Sequence, residues 1–103
     1  MLAAVEGARN REYLAECLWP GVTEAALAEL DARARVSAES PGGTSSGVRY
    51  LGSMLMPADE VVFFVFGGPS ADAVRAVAER AAIPFERIVE SVRGAGLTEK
   101  GER

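Results

Sequence analysis

A chain of 103 residues with 49% hydrophobic and 25% charged side chains builds one domain around one core, and a disordered composition is excluded. Its formal charge of −4, without any basic cluster or stripe, argues against a nucleic-acid binder that meets phosphates with Lys and Arg. The single cysteine, Cys17, excludes an internal disulfide, and no apolar run approaches the roughly 20 residues that span a bilayer, so a cytoplasmic protein away from membranes is expected.

In chain order, residues 1–10 are an Ala-rich extension too short to hold a helix unaided. From Arg11 the segment EYLAECLW reads as a first strand, ended by Pro20-Gly21. Alternation places Leu14, Glu16 and Leu18 on one face and Tyr13, Ala15, Cys17 and Trp19 on the other. Glu16 is a carboxylate amid apolar neighbours, so it must meet solvent, a partner group or a ligand. Thr23 caps a first helix, Val22 is placed to staple onto Leu27, and Leu27, Leu30 and Ala34 mark a buried face reaching to about Val36. The Ser, Gly and Pro of residues 37–47 read as a flexible connector, with a substrate lid as the alternative.

The next stretch, VRYLGSMLMPADEVVFFVFGGP over residues 48–69, organises the rest. Two apolar runs meet across Pro57-Ala58-Asp59-Glu60 and form a hairpin. On its second strand Val61, Phe63 and Val65 point one way and Val62, Phe64 and Phe66 the other, so both faces of the sheet need cover. Ser70 then caps a second helix striped with Val74, Val77, Ala78 and Ala81, which ends at Ile83-Pro84. A last strand runs from Phe85 to Val92, and residues 93–103 form a polar, Gly-rich tail.

The order strand, helix, strand, strand, helix, strand over residues 11–92 is the ferredoxin-like βαββαβ arrangement of the α+β class. Both helices cover one face of a four-stranded antiparallel sheet, and the other face stays bare in a monomer. Such an apolar patch exceeds what soluble monomers tolerate, so a homodimer packed as a dimeric α+β barrel is expected, with a small-molecule cavity between the sheets.

The hairpin and second helix, together with Tyr13-Leu14-Ala15-Glu16 and Pro20-Gly21-Val22-Thr23, resemble the small bacterial nickel-binding-protein family, long catalogued as a domain of unknown function. The likeness runs from about Arg11 to Val92 and includes Glu16, Pro57 with Asp59-Glu60, Pro69-Ser70 and Pro84. It implies a ferredoxin-like dimer, with nickel binding in some members, and it implies no shared catalytic activity.

The residues themselves offer few metal donors. There is no histidine, which leaves Glu16, Cys17, Asp59, Glu60 and Glu90, with Met54 and Met56, as the candidate set. Without histidine no Ser-His-Asp or Cys-His centre forms, and no Gly-rich phosphate loop follows a strand. Glu16 is the candidate general base, and Tyr50 or Arg49 the candidate oxyanion donor, only one of which can line a given face. Trp19, Arg49, Ser53, Met54, Phe64 and Glu90 are the candidate ligand contacts. Three functions stay open: a small-molecule binder, a cofactor-independent monooxygenase, isomerase or cyclase, and a structural module whose apolar face is consumed by dimer packing.

Overall fold

The structure, a computed structural model, describes residues 11–92 and Gly94. The expected extension, residues 1–10, and the tail from residue 93, apart from Gly94, lie outside the described residues. Its elements are β1 (Arg11–Leu18), α1 (Glu24–Glu39), α2 (Pro41–Ser45), β2 (Arg49–Met56), β3 (Val61–Gly68), α3 (Ala71–Arg80) and β4 (Arg87–Ser91). The four strands lie in the order β2-β3-β1-β4 with every neighbouring pair antiparallel, which is the ferredoxin-like α+β sheet.

The core lies between the sheet and the helices. Tyr13, Ala15 and Cys17 from β1, Tyr50 from β2, and Val62, Phe64 and Phe66 from β3 meet Leu30, Ala34 and Ala38 of α1 and Val74, Val77 and Ala78 of α3. Burying each of the larger side chains contributes about 1.5–3 kcal/mol, and this apolar layer is what fixes the strand register. Thr23 and Ser70 cap α1 and α3 by accepting from the backbone N–H groups of Ala26 and Ala73, each at 3.1 Å.

Residues 37–47 depart from the expected flexible connector. Helix α1 continues past Val36 to Glu39, and α2 adds a further short helix to the expected pair. Ser37 is buried, and its hydroxyl donates to the Val77 carbonyl at 2.8 Å, tying α1 to α3. Ser40 donates to the Ser37 carbonyl and Ser46 to the Gly42 carbonyl, each at 2.6 Å. Gly43 packs so tightly that a Cβ there would lie 2.3 Å from the Ala38 carbonyl oxygen. The Ser and Gly content therefore reflects carbonyl capping and close packing, two uses that composition alone does not separate from looseness.

Helix α3 stops earlier than Pro84 requires. The N–H of Ile83 donates to Ala78 and that of Ala82 to Glu79, a Schellman ending with Ala82 at φ 60°. Arg33 of α1 reinforces it by donating to the carbonyls of Ala81 and Ala82, both at 2.9 Å.

Candidate ligand site on the open sheet face

The face of the sheet turned away from the helices is built in rows across the four strands. At one end Arg49, Gly67, Glu12 and Ser91 stand side by side. The next row holds Leu51 beside the Gly52–Val65 pair, then Leu14 and Val89, and is apolar. Met54, Phe63, Glu16 and Arg87 follow, and Met56, Val61 and Leu18 close the face. Leu18, Leu51, Met54 and Met56 are exposed, and Leu14, Val61, Phe63, Val65 and Val89 are half-buried. An antiparallel sheet with a solvated face alternates apolar and polar residues, whereas here both faces of β3 are apolar.

A β-bulge decides which residues of β2 reach this face. The register shifts between Tyr50 and Gly52, so Leu51 is the extra residue and Gly52 takes φ 130°, a conformation open to glycine. Beyond the bulge the parity reverses. Ser53 pairs with Phe64 on the helix side, and Met54 pairs with Phe63 on the open side. Uninterrupted alternation puts Ser53 on the same face as Arg49; the structure corrects that, and the physical cause is the single extra residue. A glycine inside a strand pattern is the sequence signal of such a bulge.

The sheet divides the candidate residues. Glu16, Arg49 and Met54 share the open face. Tyr50, Phe64 and Cys17 lie on the helix side, buried in the core. Trp19 packs against the same core from the end of β1, and Glu90 pairs with Arg11 at 3.5 Å on the helix side of the edge strand. Glu16 and Tyr50 are thus separated by the thickness of the sheet and do not form one acid–base pair.

Tyr50 has a structural setting. It donates a very short hydrogen bond to Asp31 of α1, packs at a tilt against Phe66 with ring centroids 5.1 Å apart, and lies under the Arg35 guanidinium at 5.3 Å. Burial, then the hydrogen bond and charge of Asp31, hold its phenol well above the usual range, against smaller opposing effects of Ser53 and Arg35. Glu16 accepts from Arg87 Nε at 2.5 Å, so its charge is neutralised by a neighbour on the same face. That pairing answers the question which a lone carboxylate on an apolar strand raises, and Arg87 is the partner that the sequence did not single out.

Arg49, Glu12, Leu51, Gly52, Ser53, Met54 and Val65 line a cleft of about 380 Å3 at the bulged end of the open face. A larger groove of about 500 Å3 lies on the helix side, between α1 and the end of α3. There Arg33 is already engaged with the carbonyls of Ala81 and Ala82, and the groove walls are mainly apolar stretches of the two helices. Arg80 also lines that groove, whereas the open-face cleft sets Arg49 beside Leu51, Met54 and Val65 in a lining that also holds Glu12 and Ser53.

The metal donors do not gather. Among the described residues no three Asp, Glu or Cys side chains approach one another closely enough to hold an ion. Cys17 is fully buried on the helix side, and burial, with the charges of Glu86 and Glu16, pushes its thiol up to about 12, so it is no thiolate at neutral pH. Asp59 and Glu60 sit exposed in the hairpin turn, where the Glu60 carboxylate accepts from the Gly21 N–H at 3.3 Å. In a chain without histidine, the described donors do not fit a nickel centre within one protomer.

Comparison with known proteins gives this fold its relatives. The family model described as "Nickel responsive protein SCO4226-like" matches residues 13–90, from the third residue of β1 to the fourth of β4. The chain belongs to this family. The match covers the hairpin, both long helices and the paired strands on which the resemblance to a nickel-binding family rests. Among solved structures, the crystal structure of SCO4226 from Streptomyces coelicolor A3(2) is similar at 24% identity and a TM-score of 0.62, covering 82% of this chain and 99% of that one. This likeness carries the SCO4226-like fold and says nothing of which residues act. No curated protein matches the chain. No helix among the described residues is long and apolar enough to cross a membrane.

Proposed function

We propose that two copies of this chain pair through their open sheet faces, and that the paired sheets hold a small organic molecule in the cleft beside Arg49. The observation that carries this reading is the open face itself, where apolar side chains stand on every strand without cover from α1, α2 or α3. Three strands of eight residues and one of five span roughly 450 Å2 in projection and more in accessible area. Two such faces together reach the about 1,000 Å2 at which a specific interface becomes stable. A second copy matches the patch in size and shape, since it presents the same rows, and a closed dimer leaves no third face exposed.

Binding is favoured over catalysis because the residues that would share acid–base work are not on one face. Glu16 is neutralised by Arg87, and Tyr50 is committed to Asp31 on the far side of the sheet. The nickel in the family's name enters no step of this reading. Native mass spectrometry of protein taken directly from its source cell tests it: a two-chain species carrying the added mass of a small organic molecule is expected. A one-chain species without adduct defeats it.

A further inference from the structure

Arg49 and Arg80 differ from the other described arginines of the domain. Arg11 pairs with Glu90, Arg33 with backbone carbonyls and Glu29, and Arg87 with Glu16. Arg35 and Arg75 lie over the rings of Tyr50 and Phe85. Among the described residues neither has an acidic, carbonyl or aromatic partner; Arg80 lies against Gly42 on the helix side, and Arg49 is the one on the open sheet face. Its guanidinium rests against the sheet. It lies across Gly67 of β3, where an added Cβ would stand 2.5 Å from Nη2 and 3.1 Å from Cζ. Glycine inside a strand weakens the sheet and marks a place where another group approaches closely. Here the glycine is buried beneath the arginine and lets the cation approach the backbone closely.

The surroundings then select a ligand. From Arg49 the cleft runs along β2 past Leu51 and Gly52 to Met54, with Val65 beneath it. A cation at one end, with Leu51, Val65 and Met54 beyond it in a lining of mixed polarity, suits a molecule with an anionic head and a small apolar body. The fork of guanidinium donors matches a carboxylate with two parallel hydrogen bonds. Glu12, across Gly67 from Arg49, also lines the cleft, so the ligand body is directed along β2 toward Met54, away from that carboxylate. We infer that the cleft takes a small organic carboxylate whose charged head is held by Arg49 over Gly67 and whose apolar body lies on Leu51, Val65 and Met54, which rests on the open face being a ligand site as proposed above.

The test uses the full chain and a matched pair of probes, 4-phenylbutyrate and the neutral 4-phenylbutanamide, titrated while amide resonances are followed by NMR. The carboxylate is expected to shift residues of β2 and β3 around Arg49 and Gly67, and to bind at least about tenfold more tightly than the amide, as loss of charge-assisted hydrogen bonds implies. Arg49→Gln is expected to abolish that preference. Gly67→Ala keeps the charge but displaces the guanidinium, and is expected to do the same. Equal affinity for the two probes overturns the inference, as does a preference that survives Arg49→Gln, or the failure of both probes to bind a protein that is dimeric. The dimer is read separately, from the sedimentation of the same samples, so a single-chain mass with an Arg49-dependent carboxylate preference would remove the pairing and leave the anion site standing.

Discussion

Phe63 offers the sharpest perturbation of the open face. It sits on β3 between Met54 and Glu16, half-buried in the protomer, and belongs neither to the core nor to the side chains packed against it. Full burial of a phenylalanine is worth about 1.5–3 kcal/mol, so covering the exposed half in a dimer contributes about 1 kcal/mol per copy. Symmetry counts the residue twice, and Phe63→Ala is therefore expected to weaken the dimer by about 2 kcal/mol, or roughly 30-fold in dissociation constant. Phe63→Asp sets an unpaired carboxylate into each face and is expected to leave only single chains. Sedimentation velocity over a concentration series measures both. Circular dichroism should show the same strand and helix signal as the parent, since the core on the other side of the sheet is untouched. Val36→Asp, on the exposed side of α1 where Val36 is 70% accessible, is the control that leaves association unchanged. A Phe63→Asp protein that sediments as the parent does would refute the assignment of the open face as the interface.

Three further outcomes follow from local chemistry. Ala82 holds φ 60° at the end of α3, where glycine carries no Cβ penalty, so Ala82→Gly is expected to raise stability by about 0.5–1 kcal/mol in urea unfolding despite the added freedom of the unfolded chain. Burial raises the Cys17 thiol from 9.0 to about 12 in the folded state, so its contribution to stability is complete below pH 9 and is lost as pH rises toward 12, because only the unfolded chain ionises in that window. Stability measured from pH 8 to 11 should therefore fall less in Cys17→Ala than in the parent, and the native thiol should stay unreactive to Ellman's reagent at pH 8. Calorimetric titration of nickel(II) into protein free of any histidine tag is expected to give no stoichiometric site at low micromolar affinity, and a saturable site near one ion per chain would show that donors outside the described set, or from a second copy, complete it.

The arrangement of strands and helices was legible because its signals are periodic. Val62, Phe64 and Phe66 against Val61, Phe63 and Val65 define two sheet faces, and the stripe of Val74, Val77, Ala78 and Ala81 defines one helix face. Two features escaped because their meaning depends on tertiary contact. The Ser and Gly of residues 37–47 look loose until Val77 accepts from Ser37 and Gly43 is pressed against Ala38. Gly52 shifts the register by one residue, which moves Ser53 away from the open face and leaves Met54 on it. At the candidate site, alternation put Glu16 on the face opposite Cys17 and separated Arg49 from Tyr50, as the sheet has them. It gave no sign that Arg87 neutralises Glu16 or that Arg49 rests against Gly67, since both partners come from strands distant in sequence.

The central claim is that the open face is covered in solution. Solvent paramagnetic relaxation of methyl resonances reads this directly, with a soluble gadolinium chelate as the probe. If a second copy covers the sheet, the methyls of Met54, Met56 and Leu51 stay sharp while those of Val36 on α1 broaden. Equal broadening of all four at micromolar protein concentration would show the face open to water and contradict the account.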